Sequence, residues 1–148
     1  MNRLRIGIMG YSGQLFDVEK AKQNLNQAFD LIGLLTPPLF KIEVVSGLTY
    51  LGIPGIAYDL AVERGWDTIG IACAKAQDYR VFPCNKSIIV GKKWGQESPT
   101  FLRYCDIFIR VGGGNQTMDE TAAAKAMGKK VLEFDLESLP KDTVSEKK

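Results

Sequence analysis

The chain has 148 residues, 45% of them hydrophobic and 24% charged, with a formal net charge of +2. That length supports one domain around one core, and the composition is that of an ordinary globular chain. So small a charge excludes the basic footprint of a nucleic-acid or acidic-membrane binder, and no run reaches the ~20 apolar residues that span a bilayer.

Met1-Asn2-Arg3-Leu4-Arg5 passes directly into a core-like segment, too short for a secretory signal, so a cytoplasmic location is expected. Histidine is absent, which removes every scheme needing an imidazole base. Cys73, Cys84 and Cys105 are widely spaced and read as reduced, mostly buried thiols. No metal site and no resident cofactor is expected.

Leu4–Met9 reads as a first strand, followed by the turn Gly10-Tyr11-Ser12-Gly13. Asp17 is placed to cap a helix running from Val18 to Leu34, with Ala21, Leu25, Ala28, Phe29 and Ile32 on one face. Pro37 and Pro38 end it. Lys41–Ser46 is a second strand. The turn from Gly47 to Ile53 leads to Pro54 at the first position of a helix, Gly55 to Glu63, closed by Gly65. Thr68–Ala72 is a third strand, Lys75 to Pro83 is irregular, and Ser87–Val90 is an edge strand. Gly91 to Gly95 turn the chain, and Ser98-Pro99 opens a helix to Tyr104. Ile107–Val111 is a strand, then come a glycine turn, an alanine-rich helix and the last strand, Lys130–Phe134. Residues 1–137 form the domain, and 138–148 a polar tail expected to be disordered. Continuous apolar strands alternating with helices predict an α/β fold: a single doubly wound domain with a mostly parallel sheet.

Ligands of such sheets bind at the carboxyl ends of the strands, where three glycine-bearing turns meet. They are Gly10 to Gly13, Gly47 to Gly55, and Gly112 to Thr117. Glycines admit close approach of an anion, and helix N-termini offer it amides. Gly10, Ser12, Gly47, Thr49, Gly113, Gly114, Asn115, Gln116 and Thr117 are the candidate phosphate- or nucleotide-binding residues. Tyr11 and Tyr50 either stack on a base or pack on their neighbours. Trp94 is a lid element or a partly buried anchor. The first turn lacks G-x-G-x-x-G and no G-K-[ST] follows a glycine run, which argues against ordinary dinucleotide and P-loop enzymes.

These residues resemble the SLOG superfamily, the Rossmann-like group containing the LOG phosphoribohydrolases, once described as lysine decarboxylases. The LOG pattern P-G-G-x-G-T-x-x-E is similar to Gly112-Gly113-Gly114-Asn115-Gln116-Thr117-Met118-Asp119-Glu120. The second turn of that group resembles Ser46 to Ala57, and its first turn resembles Gly10-Tyr11-Ser12-Gly13. The resemblance implies that the third turn holds a 5′-phosphate and that Glu120 is catalytic at the ribose. It implies hydrolysis of a nucleoside 5′-monophosphate to free base and ribose 5-phosphate. Glu97 stands where the family's R-K arginine belongs, leaving Lys92, Lys93 and Arg103 as candidate replacements. The expected function is therefore binding of a nucleotide or other phosphate-bearing small molecule. The alternatives are the hydrolase and a carrier of the pterin-type molybdenum cofactor. Ala122 to Ala126 offer close helix contacts, and the family's habit implies a homodimer or higher homo-oligomer.

Overall fold

The computed structural model describes residues 2–140. β1 (Arg3–Gly10) is buried without a break from Ile6 to Met9, so both faces of the sheet need cover. Asp17 starts α1 (Val18–Leu35) by accepting from Lys20 N at 3.1 Å, and the expected apolar face is buried. There follow β2 (Lys41–Ser46), α2 (Gly52–Glu63), β3 (Asp67–Ala72), β4 (Lys86–Ile89), α3 (Ser98–Tyr104), β5 (Ile107–Val111), α4 (Asn115–Ala126) and β6 (Lys130–Phe134).

All neighbouring strands pair parallel, in the order β4-β3-β2-β1-β5-β6. The chain steps outward from β1 to β4, then returns to the other side of β1 as β5. That reversal leaves a crevice between the turns after β1 and β5. On one face Leu25 and Phe29 of α1, with Ala57 and Tyr58 of α2, pack on Ile6, Ile8, Val44 and Ile109. On the other face Phe101 and Leu102 of α3, with Ala124 of α4, pack on Met9, Val45, Ile69 and Phe108. The single α/β domain is thus doubly wound, as the strand–helix alternation predicts. No helix among the described residues is long and apolar enough to cross a membrane.

The departures are local. α2 starts at Gly52, not Gly55, which puts Pro54 at its third position rather than its first. Gly52 takes φ +54, and Ile53 N donates to Tyr11 O at 2.8 Å, so the chain turns into the helix early. Proline is tolerated there because first-turn amides have no intrahelical acceptor. A 3-10 turn forms over Ala74–Asp78, within which Lys75 to Asp78 are expected to be irregular. α4 starts at Asn115, so Asn115, Gln116 and Thr117 are its first turn and not part of the glycine turn. Leu139 N donates to Leu15 O at 2.7 Å; of the tail expected at 138–148, residues 141–148 lie outside the described residues.

Two glycines separate crowding from backbone conformation. A Cβ on Gly52 would stand 2.2 Å from Tyr11 O, whereas one on Gly65, at φ +74, would meet nothing within 4 Å. Gly65→Ala is expected to cost ~1 kcal/mol, from conformation alone. Gly52→Ala is expected to cost ~3 kcal/mol, because backbone must yield as well. Urea denaturation of the two variants checks the ranking, and equal losses would refute it.

Candidate ligand-binding site

The turns after β1, β2 and β5 are pressed together through Tyr11. Its hydroxyl donates to Leu136 O at 2.7 Å, and its carbonyl accepts from Ile53 N at 2.8 Å. Its ring lies where a Cβ on Gly112 would come within 2.4 Å. Gly10 meets Val111 O just as closely, at 2.5 Å from an added Cβ. Turn on turn, backbone on ring, no side chain fits between.

Beside this junction lies a cavity of about 340 Å³, within the size range of small-molecule sites. Gly10, Ser12, Gly47, Thr49, Gly114, Asn115, Gln116, Thr117 and Glu120 all line it. Gly113 does not. It takes φ +112, and a Cβ there would meet Thr117 at 2.4 Å, so it shapes the turn. Gly47 and Gly114 are glycines of the other kind. A Cβ on Gly47 would meet nothing within 4 Å, and one on Gly114 only Gln14 Nε2 at 3.7 Å. Their missing side chains leave room inside the cavity.

Of the two tyrosines, Tyr11 lines the cavity and Tyr50 does not. Tyr11 is buried with its hydroxyl engaged, and Tyr50 lies outside the lining with its hydroxyl on Asp59. Lys92, Lys93 and Arg103 also lie outside it, and no lysine or arginine among the described residues takes the missing arginine's place. Trp94 and Glu97 do line the cavity, as do Gln14 and Phe101. Gln14 and Phe101 carry no motif that a sequence reading would notice.

The three helix starts differ in what they offer an anion. α1 is capped by Asp17. In α2, Ile53 N is spent on Tyr11 O, and Pro54 has no N–H. α4 follows Gly114 with no side-chain cap, and its first i→i−4 bond is Met118 N to Gly114 O at 3.0 Å. The amides of Asn115, Gln116 and Thr117 precede that bond, at the cavity wall and at the positive end of the helix dipole. Arg110 holds this start in place from behind. Its Nη1 donates to Gly112 O at 2.9 Å, while Nε and Nη2 reach Glu133 and Asp135 at 3.0 and 2.7 Å.

Further along α4, Glu120 Oε2 accepts from Ser98 Oγ at 2.6 Å. Burial pushes the Glu120 carboxyl above the ordinary carboxylate range; the Ser98 bond opposes that rise, and the Glu97 charge adds to it. Glu97 Oε1 accepts from Gly95 N at 3.0 Å. The wall therefore has uncapped amides and hydroxyls in one part and two carboxylates in another. Among the described residues there is no group of three histidine, cysteine, aspartate or glutamate side chains arranged to hold a metal ion.

The model of the SLOG cluster4 family matches residues 3–148. The chain belongs to that family. A comparison with curated proteins finds no match. Among solved structures, the molybdenum cofactor binding protein from the phototrophic bacterium Rippkaea orientalis is similar at TM-score 0.73 and 23% identity, over 99% of this chain and 82% of that one. The molybdenum cofactor carrier protein from Chlamydomonas reinhardtii is similar at TM-score 0.71 and 21% identity, over 89% of this chain and 76% of that one. Identities this low establish a shared fold. For this SLOG cluster4 chain, the roles of the cavity residues rest on its own geometry.

Glu120 gives the site a signature in pH. A raised carboxyl value means that the folded state holds the proton more tightly than the unfolded chain. Its contribution to stability is complete below the unfolded value and falls as pH rises through the folded one. Glu120→Gln keeps an acceptor for Ser98 and removes the titration. The melting temperature of Glu120→Gln, relative to wild type, is expected to rise between about pH 4 and about pH 7. Parallel melting curves at both pH values would contradict it.

Proposed function

We propose that this protein binds and carries a phosphate-bearing small molecule with a planar ring, of the pterin-cofactor type, without turning it over. The observation that carries this reading is the cavity at the uncapped start of α4, walled by amides, hydroxyls and carboxylates with no lysine or arginine. A phosphate oxygen is expected on the amides of Asn115, Gln116 and Thr117, with Ser12, Thr49 and Thr117 as hydroxyl donors. Gly47 and Gly114 are expected to give the ligand its room. The names of the two similar structures, both molybdenum cofactor proteins, support a pterin ring ahead of a simple nucleotide. Cytoplasmic residence and a homo-oligomer paired through Ala122 to Ala126 belong to the same proposal.

A second reading is hydrolysis of a nucleoside 5′-monophosphate, favoured by the half-buried Glu120 on the helix that follows the glycine turn. A carboxylate stabilises oxocarbenium character at the ribose. The position of the family's R-K arginine is held instead by Glu97, which adds negative charge at the same wall.

Thermal shift with 6-hydroxymethylpterin phosphate, AMP and ADP-ribose tests the main reading. A ligand that binds only the folded state stabilises it, by ~2.7 kcal/mol at a hundred times Kd. The pterin phosphate is expected to raise Tm most. Gly47→Val and Gly114→Val are expected to fold normally and lose binding at least about ten-fold, since the new side chains stand in the cavity. No shift with any of the three ligands would overturn the reading. Release of free base from AMP, abolished in Glu120→Gln, would replace it with the hydrolase.

A further inference from the structure

The part of the cavity nearest α3 is built differently from the amide cradle. Trp94 lines it with 51% of its surface exposed, although it is a large apolar side chain. Its loop is held rigidly by its own hydrogen bonds. Gln96 Oε1 accepts from Lys92 N at 2.7 Å and from Lys93 N at 3.0 Å, and Ser98 N donates to Gly95 O at 3.2 Å. The indole meets Tyr79 in a T-shaped pair, 5.7 Å between centroids and 65° between planes. A fixed ring with half its surface open at a cavity wall is a stacking platform with its partner missing.

Beside it lie Glu97 and Glu120. Each carboxylate has one oxygen committed to a neighbour, Glu97 to Gly95 N and Glu120 to Ser98 Oγ. Carboxylates accept and do not donate when ionised. A ligand that enters here must bring donors, and it must bring them on a flat ring to use Trp94. We propose that this part of the cavity selects a fused heterocycle with a cyclic H–N–C–NH2 edge, stacked on Trp94 and donating one hydrogen bond to Glu97 and one to Glu120. The 2-amino-4-oxo ring of guanine or of a pterin carries that edge. Hypoxanthine lacks the amino group, and adenine presents an acceptor where the ring N–H would be. The inference rests on the phosphate-binding reading and names the ring that accompanies the phosphate.

Isothermal titration calorimetry with GMP, IMP, AMP and 6-hydroxymethylpterin phosphate tests it, with inorganic phosphate as competitor. GMP and the pterin phosphate are expected to bind at least about ten-fold more tightly than IMP or AMP, the value of one charge-assisted hydrogen bond. Glu97→Gln is expected to shrink the GMP preference over IMP, and Trp94→Leu to weaken GMP and the pterin phosphate alike. Trp94 is exposed, and Glu97→Gln keeps the acceptor for Gly95 N, so melting curves of the variants should match wild type. Equal affinity for all four ligands, each displaced by phosphate, would overturn the ring assignment and leave the phosphate cradle standing. Silence from all four ligands and from phosphate would overturn both.

Discussion

The contact on which the site depends is Tyr11 packed against Gly112. Through that one residue the turn after β1 touches the turn after β5, the start of α2 and the Leu136 carbonyl. β1 and β5 are neighbours in the sheet, so their turns emerge side by side. Twisted parallel strands would leave a gap there, and an aromatic ring fills it with its hydroxyl satisfied. The consequence is that three loops behave as one rigid rim. Loop backbones that must present amides to an anion lose little further freedom when it arrives, which is the advantage of preorganisation.

Rigidity alone does not make the turns equivalent. α1 satisfies the Lys20 amide of its first turn with Asp17, and α2 gives one to Tyr11 and has a proline next to it. Both are thereby tied into the scaffold at that amide. α4 is left uncapped by a glycine, and its restraint comes from Arg110, on the Gly112 carbonyl. A buried guanidinium bonded to two carboxylates and a carbonyl is a fixed strut, because its fork geometry admits few alternatives. The free dipole end is thus held by a group that leaves the amides themselves alone.

Much of this was legible in the residues, for a physical reason. Strand and helix periods differ, and burial on both faces of a parallel sheet writes continuous apolar runs such as Ile6 to Met9. Those runs located all six strands to within about two residues. Asp17 announced its cap, and the glycine turn announced the site. What stayed hidden depends on contacts between distant segments. Nothing local distinguishes Gly113, which shapes a turn, from Gly114, which leaves space; only the position of Thr117 does. Nothing local says that Tyr11 packs rather than stacks, since Leu136 lies 125 residues away. The early start of α2 also hangs on Tyr11, through Ile53. Arg110 reads as a polar interruption in a strand until Glu133 and Asp135 stand beside it. Glu97 was legible only as a departure from a resembling motif.

Glu97 also bears on the chemistry that the cavity supports. A phosphate held near two carboxylates is opposed by Coulomb energy, ~4 kcal/mol per pair of unit charges at 4 Å in a medium of effective dielectric constant about 20. Each amide or helix-dipole contact returns ~1 kcal/mol. Hydrolysis of a nucleoside 5′-monophosphate needs a carboxylate close to the ribose while donors hold the phosphate. This cavity has only neutral donors for it. Under the proposed reading the sum works differently. A ring whose own donors face Glu97 and Glu120 adds an attraction that offsets that repulsion, and the phosphate stays at the amides of α4. The ligand then binds through two modest terms, neither of them a buried ion pair.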